Sequence, residues 1–432
     1  MKKMIFVLGV VITALLVAPY FVGSVVRTNF NEVVEKTAGN PTFNITLKDY
    51  QQGWFSSMVT MNVDLVVPGK EADDFNFDIR QTIKHGPVLT GEQGLGIGLL
   101  DNQMALNVGA VLRKEMDFPA RFILKMDGRV GFSGGTNGTV STDGLEITKD
   151  GMTTVVEPGD LQVSFDGEKR FVVNGTLAGM KVSGASKPEM VVGPLRINMV
   201  HELVAGEMFS TNALYDGEAI ITIANMMVNV EELGLPLTLE SITLSTATDV
   251  IGELMNISLK SNAKELKFNG ESFKNINYDI SLNNLSVKSI QEMSVISQEM
   301  QLALADPTVD SSVYVAKMEA LLPALLAKKP TLAIKDLGVV TEQGPISING
   351  NLAVDESLFS ANNPMSILAA LNANANGEGP DEFFTGKGLG AMVEQFVQQK
   401  MILRKSGKLV FDFTMTQGKA ILNGNQIPLG AL

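Results

Sequence analysis

The feature that most constrains this chain is an uncharged run near its start, residues 4–26, which reads MIFVLGVVITALLVAPYFVGSVV. As a helix rising about 1.5 Å per residue, such a run spans a hydrocarbon core of roughly 30 Å. Lys2 and Lys3 precede the run and a single Arg27 follows it, so the positive-inside rule favours a cytoplasmic N-terminus and an exported body. The sequence predicts a cytoplasmic segment of residues 1–3 followed by a transmembrane anchor.

A cleaved signal peptide is the alternative interpretation of the same run. Val22-Gly23-Ser24 places small residues where a signal peptidase would cut. The run exceeds the usual apolar core of a signal peptide, about 7–15 residues, which favours a retained anchor. The chain has no cysteine, so lipid attachment through a cysteine is excluded. No second apolar run of spanning length follows, and the prediction is a protein that crosses the membrane once.

Composition narrows the chemistry that the body can perform. With 34 Lys and Arg against 47 Asp and Glu, the formal net charge is −13, and nucleic acid is not expected as a partner. The absence of cysteine and the presence of only 2 histidines exclude thiol nucleophiles, Fe–S clusters, cysteine-bound zinc and most histidine-based metal sites. Hydrophobic residues make up 45% of the chain, so the body folds. We expect no cofactor, no metal and no enzymatic activity.

Beyond the anchor, helical spacing continues briefly and then gives way to a period of two. Residues 27–40 predict a short stalk helix that stops at Gly39 and Pro41. Over residues 41–288, apolar and polar side chains alternate as in antiparallel strands. The segments are separated by dipeptides that suit tight turns: Asp127-Gly128, Asn137-Gly138, Asp143-Gly144, Asp150-Gly151, Asp166-Gly167, Asn174-Gly175, Asp216-Gly217 and Asn269-Gly270.

The helical period returns late in the chain. Residues 289–330 predict a helical hairpin, and residues 331–432 predict further strands and helices of the same body. Within that last part, residues 364–371 predict a short helix, 372–380 a low-complexity loop and 389–403 an amphipathic helix. The fold class is therefore mainly β with helices. An N-terminal transmembrane helix precedes an extended, curved antiparallel β-sheet body with a late helical hairpin.

An aromatic segment, Tyr50 to Ser57, is the most unusual local sequence. Gly53 lies in a strand-like stretch, where glycine usually marks a bulge that bends the strand. We expect Trp54 and Phe55 to cover that bend and to point to opposite faces, with one of them in the core. The alternative is an aromatic cage that binds a ligand.

A second motif is His85-Gly86-Pro87, at a strand end before a turn. The imidazole either packs and caps there or serves a function, and no G-x-S-x-G motif accompanies a histidine. No catalytic, cofactor-binding or metal-binding residue is assigned. The candidate site consists of the motif positions Tyr50, Gly53, Trp54, Phe55, His85, Gly86 and Pro87.

The order of these features resembles a known family. A lysine-containing start and an apolar anchor lead to Tyr50-x-x-Gly53-x-Phe55-Ser56-Ser57, then His85-Gly86-Pro87, a helical hairpin and a terminal hairpin with Gly418-Lys-Ala-Ile-Leu-Asn423-Gly424. Over nearly the whole chain this layout resembles the YdgA family of bacterial inner-membrane-anchored proteins, a domain-of-unknown-function family. The resemblance implies a single-pass protein of the bacterial inner membrane with a cytoplasmic N-terminus and a periplasmic body, and it carries no catalytic residues.

Two functions remain open at this stage. A curved sheet with an apolar concave face can shield acyl chains, at about 0.8 kcal/mol for each buried CH₂, and this predicts a binder of lipid or another hydrophobic ligand. If helix side chains fill that face, it is core, and the body is a non-enzymatic scaffold that binds an envelope protein or itself. The partners predicted from sequence are therefore the inner membrane, through residues 4–26, and either a hydrophobic ligand or a protein.

Overall fold

The computed structural model describes residues 2–37, 43–65, 75–116, 124–184, 189–208, 210, 212–230, 235–304, 312–360, 363 and 366–428. It is mainly β, with few helices and a large antiparallel sheet, so the predicted fold class is confirmed at that level. The chain divides into two compact units. Unit 1 contains residues 1–189 and 194–200, and unit 2 contains residues 190–193 and 201–432.

Unit 1 is an antiparallel sheet with one long helix. Its helices are α1 (Lys2–Thr37) and α2 (Ala110–Met116), and its strands are β1 (Phe43–Gln52), β2 (Ser56–Leu65), β3 (Asn76–His85), β4 (Val88–Gly91), β5 (Gly94–Ile97), β6 (Leu100–Val108), β7 (Leu124–Val130), β8 (Thr136–Thr142), β9 (Leu145–Lys149), β10 (Met152–Val156), β11 (Gly159–Phe165), β12 (Arg170–Leu177) and β13 (Met180–Gly184). Strands β1, β2, β3, β6, β7, β8, β11 and β12 pair in that order. β10 lies between β9 and β13, and β4 and β5 form a separate hairpin.

The core of unit 1 forms where α1 crosses the first three strands. Val22, Val26 and Phe30 recur every four residues and so share one face of the helix. They pack on a cluster that includes Val59, at 1% exposure, and Ile83, at 2%. The apolar face that β1, β2 and β3 create by alternation is therefore covered by this part of α1.

The helix predicted over residues 27–40 continues the helix predicted over residues 4–26. One continuous helix, α1, runs through both as far as Thr37, and residues 38–40 lie outside the described part of the chain. None of the helices in the described ranges combines the length and the apolar character that crossing a membrane requires. The anchor therefore stays a prediction.

Strands β14 (Glu189–Val192) and β15 (Leu195–Ala205) lie where the chain divides between the units. Unit 2 then continues with β16 (Leu214–Val230), β17 (Leu235–Ile251), β18 (Leu254–Phe268), β19 (Glu271–Ser286), α3 (Val287–Leu304), α4 (Ser312–Leu326), β20 (Thr331–Thr341), β21 (Gly344–Val354), α5 (Ser366–Ala370), β22 (Leu371–Pro380), α6 (Asp381–Phe384), α7 (Gly390–Gln398), β23 (Leu403–Lys405), β24 (Lys408–Thr416), β25 (Lys419–Leu422) and β26 (Asn425–Ile427). A 3₁₀ turn, Glu356–Leu358, follows β21, and a π-type turn, Thr385–Leu389, joins α6 to α7.

The strands of unit 2 form an antiparallel meander. β16 to β22 pair in order, β22 pairs with β24, and β24 pairs with β23 and β25. Helices α3 and α4 pack on this sheet, where Ile290 and Leu325 contact the buried side chains of Leu214, Met255 and Leu285. The hairpin therefore covers one part of the sheet of unit 2.

Of the eight dipeptides predicted to form turns, four lie between strands and four lie inside strands. Asp150-Gly151, Asp166-Gly167 and Asn269-Gly270 do lie between strands that pair with each other, and Asp143-Gly144 joins β8 to β9; all four glycines have positive φ. The other four lie inside β7, β8, β12 and β16. Gly128 and Gly138 face each other across β7 and β8, and a Cβ on Gly138 would lie 2.6 Å from the carbonyl oxygen of Asp127. Here glycine permits a close approach of backbones rather than a turn.

The predicted loop over residues 372–380 is also wrong, because this segment is β22. Its sequence, LNANANGEGP, alternates strictly, with Leu371, Ala373 and Ala375 on one face and asparagines on the other. β22 pairs along its length with both β21 and β24. Tertiary pairing therefore outweighs the low strand propensity of Asn, Ala and Gly.

A buried ion pair fixes the β4–β5 hairpin on the sheet of unit 1. The guanidinium of Arg129 binds both carboxylate oxygens of Asp101, at 2.6 and 2.8 Å, and it also donates to the carbonyl of Gly94. The N–H of Gly91 donates to Asp101 as well. Burial alone would raise the pKa of Asp101, but the hydrogen bonds from Arg129 and Gly91 outweigh it and lower that pKa.

Replacing Asp101 should therefore destabilise unit 1. Asp101→Asn leaves the largely buried Arg129 charge without its carboxylate, and we expect a loss of about 3 kcal/mol in the free energy of unfolding, measured by urea denaturation. The matched control is Asp143→Asn, which removes an exposed ion pair with Lys125 and should cost under about 1 kcal/mol. Equal losses in the two variants would show that the buried pair does not hold the hairpin.

Candidate functional site

The seven predicted motif positions come together at one end of the unit 1 sheet. The β1–β2 loop, residues 53–55, lies between strand ends that pair as Gln52 with Ser57. β3 ends there at His85, because Ser56 pairs with Lys84. Gly86 and Pro87 follow directly. The two motifs, although separated by about thirty residues, are neighbours across adjacent strands.

These residues hold helix α1, and we call the group of Tyr50, Gln52, Trp54, Ser57 and His85 the helix clamp. The Tyr50 hydroxyl donates to the carbonyl of Gly23, at 2.9 Å. The Gln52 amide donates to the carbonyl of Tyr20, and the Trp54 indole N–H donates to that of Leu16, at 2.6 Å. Three side chains thus bind successive turns of one helix through its backbone.

A hydrogen-bonded chain lies beneath the helix. Ser57 Oγ lies 2.9 Å from His85 Nε2 and 3.1 Å from the Tyr50 hydroxyl, whose single proton is shared between Ser57 Oγ and the carbonyl of Gly23. His85 Nδ1 faces the carbonyl of Trp54, so this nitrogen carries the proton and, in the neutral ring, Nε2 accepts from Ser57. The chain connects β1, β2 and β3 at the point where α1 crosses them.

The close contact between α1 and the side chains of the clamp requires a glycine at position 23. A Cβ on Gly23 would lie 2.5 Å from His85 Cε1 and 3.1 Å from the Gln52 amide nitrogen. Any larger residue would separate the helix from the clamp. Gly23, which in the sequence resembles part of a signal-peptidase site, therefore has a packing role in the structure.

The pair of Ser57 and His85 has the contact distance of a nucleophile and its base. Ser57 is 1% exposed and His85 is 3% exposed, because α1 covers them. Burial lowers the pKa of His85, although the carbonyls of Trp54 and Pro19 favour the protonated ring. The arrangement is suited to joining the helix to the sheet rather than to attacking a substrate.

The expectation for Gly53, Trp54 and Phe55 is corrected. Gly53 is not a bulge within a strand but part of the turn between β1 and β2, where its N–H donates to Ser56 and a Cβ would approach the Ser56 carbonyl at 2.8 Å. Trp54 is 51% exposed and Phe55 is 54% exposed, so neither is core. One ring face of Trp54 contacts Tyr20 of α1, with centroids 5.2 Å apart.

Gly86 and Pro87 connect the clamp to the β4–β5 hairpin. The N–H of Gly86 donates to the carbonyl of Leu99, and a Cβ on Gly86 would collide with the carbonyl of Gly98. The N–H of His85 donates to the carbonyl of Phe55. The His-Gly-Pro motif thus combines a buried imidazole with a close backbone contact.

Unit 2 carries a second feature, an apolar sheet face that crosses many strands. Directly paired residues share a face, and their registers align apolar side chains from β16 to β24. We define this apolar face by Ile221, Ile223, Ile242, Leu244, Leu259, Ile280, Leu282, Leu332, Ile334, Leu337, Ile348, Leu352 and Phe411. The opposite face carries polar pairs such as Lys260 with Asp279 and Thr243 with Asn262.

The apolar face is only partly covered. Helices α3 and α4 cover its end near Met255 and Leu285. Between the covered parts, Leu244, Leu259, Leu282 and Leu337 are 38–41% exposed. The sequence left open whether this face is a groove or filled core, and in unit 2 it is filled at one end and open in the middle.

A cavity of about 290 Å³ lies on the same face beneath α6 and α7. Apolar side chains dominate its walls: Ile346, Ile348, Phe384, Leu389, Met392, Val393, Phe396, Ile402, Leu409 and Phe411. Ile348 and Phe411 are on the apolar face through their shared partner Gly377. Sequence patterns missed this cavity because its wall includes β22, whose alternation was interpreted as a loop.

Because burial lowers the pKa of His85 below its usual 6.5, the clamp should weaken in acid. The unfolded chain binds a proton on His85 more readily than the folded chain does, so acid favours unfolding. The neutral ring therefore stabilises the fold above pH 6.5, and this stabilisation is lost as the pH falls through the lower pKa of the folded state. We expect His85→Gln to reduce the slope of unfolding free energy against pH between about 5 and 7, by up to about 1.4 kcal/mol per pH unit.

The matched variant is Tyr50→Phe, which keeps the imidazole and removes one hydrogen bond to α1. It should lower stability by about 1 kcal/mol at every pH and retain the slope of the parent. Urea denaturation at several pH values measures both. An unchanged slope in His85→Gln would contradict the buried neutral imidazole.

Comparison with known proteins places the chain in a bacterial family. Residues 1–386 match the family described as "Bacterial protein of unknown function (DUF945)". No curated protein and no solved structure matches the chain. The match agrees with the resemblance at the level of a bacterial family of unknown function and does not carry the YdgA name. Since it covers well over half of the sequence, the chain belongs to the DUF945 family of bacterial proteins.

Proposed function

We propose that this protein is a membrane-anchored envelope protein whose unit 2 binds the acyl chain of a lipid along the apolar face. The observation that carries the proposal is the open middle of that face, where four leucines at 38–41% exposure lie on the same face of four successively paired strands, β17 to β20. An exposed, contiguous apolar surface rimmed by polar residues marks a binding site more often than a free surface.

The shape of the surface favours an aliphatic chain over a protein helix. The residues that define the face are mainly branched aliphatic side chains, with Phe411 as the one aromatic and no arginine among them, whereas protein interfaces are typically enriched in aromatic and arginine anchors. The face continues into the cavity beneath α7, whose volume of about 290 Å³ is near the lower end of ligand pockets. A chain lying across the leucines can insert its end there.

The energetics are sufficient for useful affinity. Each buried CH₂ contributes about 0.8 kcal/mol, so a long acyl chain gains roughly 10 kcal/mol before the cost of ordering it. The walls of the cavity are almost entirely apolar side chains, so the end of the tail contacts carbon there.

The envelope location in this proposal rests on the uncharged run over residues 4–26 and on Lys2 and Lys3. With the N-terminus in the cytoplasm and the anchor in the bacterial inner membrane, the body lies in the periplasm. No enzymatic step is part of this proposal.

The proposal predicts that the full chain, purified in mild detergent and analysed by native mass spectrometry, carries a copurified lipid. It also predicts that a fluorescent polyunsaturated fatty acid, cis-parinaric acid, gains emission on binding. The double variant Leu259→Ser, Leu282→Ser should bind this probe about tenfold more weakly, which corresponds to about 1.4 kcal/mol. Both side chains are half exposed, so the fold should persist.

The control for this experiment is Asn262→Ser, on the same strand as Leu259 but on the polar face. It should bind the probe like the parent. If the leucine variant also binds like the parent, the apolar face is not the site. If no lipid copurifies and the chain instead forms a dimer that the leucine variant abolishes, the face is a protein interface and the proposal is wrong.

A further inference from the structure

The end of unit 1 that carries the helix clamp also carries a set of exposed apolar side chains. β1, β3 and β7 end there and β2, β6 and β8 begin there, as the pairs Gln52 with Ser57, His85 with Leu100 and Val130 with Thr136 require. The loops and hairpin at this end present apolar side chains that are 51–79% exposed. We call them the aromatic rim: Trp54, Phe55, Val88, Leu95, Ile97 and Phe132.

Helix α1 adds an exposed stripe to this rim. Its inner face packs on the sheet through Val22 and Val26. On its outer side, Val17, Tyr20 and Phe21 are 38%, 46% and 64% exposed, although this part of the helix is already bound to the clamp. These three residues belong to the uncharged run over residues 4–26, and an apolar stripe of this kind is unfavourable in water.

The length of the helix determines where the rim lies. From Met4 to Leu16, whose carbonyl accepts from Trp54, a helix rises only about 18 Å, against roughly 30 Å for the hydrocarbon core. If Lys2 and Lys3 stay at the cytoplasmic surface, the remaining thickness must be crossed by the part of α1 that the clamp holds. The clamp and the rim are then at the level of the outer leaflet.

We infer that the aromatic rim is inserted into the outer leaflet of the same membrane, so that unit 1 is seated on the bilayer rather than suspended above it. Trp and Tyr side chains prefer the interface, where the ring is in an apolar environment and its polar atom is near water. Surface segments bury their apolar face about 5–10 Å into this boundary. This inference rests on the proposed anchoring by residues 4–26 and is independent of ligand binding in unit 2.

Trp54 is the single tryptophan of the chain, so its fluorescence reports the position of the rim without labelling. The full chain is reconstituted into phosphatidylcholine vesicles whose acyl chains carry bromine near the headgroup end or near the methyl end. We expect a blue-shifted emission that is quenched by the brominated lipids and poorly quenched by aqueous acrylamide.

The control moves the reporter along one strand. The double variant Trp54→Phe, Leu65→Trp places the indole at the opposite end of β2, about 30 Å from the rim. Its emission should be quenched by acrylamide and not by either brominated lipid. A third variant, Phe55→Ser with Leu95→Ser, retains Trp54 and should increase its quenching by acrylamide, because fewer apolar side chains hold the rim in the lipid.

Flotation of the vesicles separates failure of the anchor from failure of the rim. If the chain floats with the vesicles and Trp54 is quenched by acrylamide as fully as the residue 65 control, the anchor is correct and the inference is overturned. If the chain does not float with vesicles after a carbonate wash, the anchoring is wrong and the inference fails with it. Binding of cis-parinaric acid to unit 2 is measured separately and bears on neither outcome.

Discussion

The whole structure depends on the need to cover one apolar face of an antiparallel sheet. Alternation of apolar and polar residues along the strands makes such a face. Exposing it to water costs about 25 cal/mol of free energy for each Å² of apolar surface. In unit 1 the cover is α1, whose Val22 and Val26 pack on Val59 and Ile83. In unit 2 the cover is made by α3 and α4 at one place and by α6 and α7 at another. Where the helices stop, leucines are exposed, and there the proposed ligand site begins.

Alternation of apolar and polar residues therefore predicts the β-rich body from the sequence. It does not predict which glycines lie in turns or which strands pair with each other. A dipeptide such as Asp127-Gly128 has the same local preference whether it ends a strand or faces Gly138 across β8. Only the partner strand decides between the two, and the sequence does not show which strands pair. β22 makes the same point, because strands on either side stabilise a segment rich in Asn, Ala and Gly.

The residues of the candidate site could be singled out from the sequence, but their contacts with α1 could not. Tyr50, Trp54 and His85 were conspicuous because aromatic and imidazole side chains are rare in this chain, with only 1 tryptophan and 2 histidines. Their partner, the backbone of α1 near Leu16 and Gly23, has no sequence signal, since every helix offers carbonyl groups. Gly23 was the nearest clue, because a residue without a side chain permits the contact with His85.

The clamp also explains why buried polar groups occur where apolar packing alone would hold a helix. Apolar contacts between Val26 and its neighbours allow the helix to slide or rotate by a small amount, because they are not directional. Hydrogen bonds from Tyr50 to Gly23 and from Trp54 to Leu16 are directional and fix both the rotation and the height of α1 on the sheet. A body seated on a bilayer needs that fixed height, because a shift by one helical turn, about 5.4 Å, would move the rim out of the interface. The polar network beneath α1 is therefore best understood as the device that sets the depth of unit 1 relative to the helix that carries it.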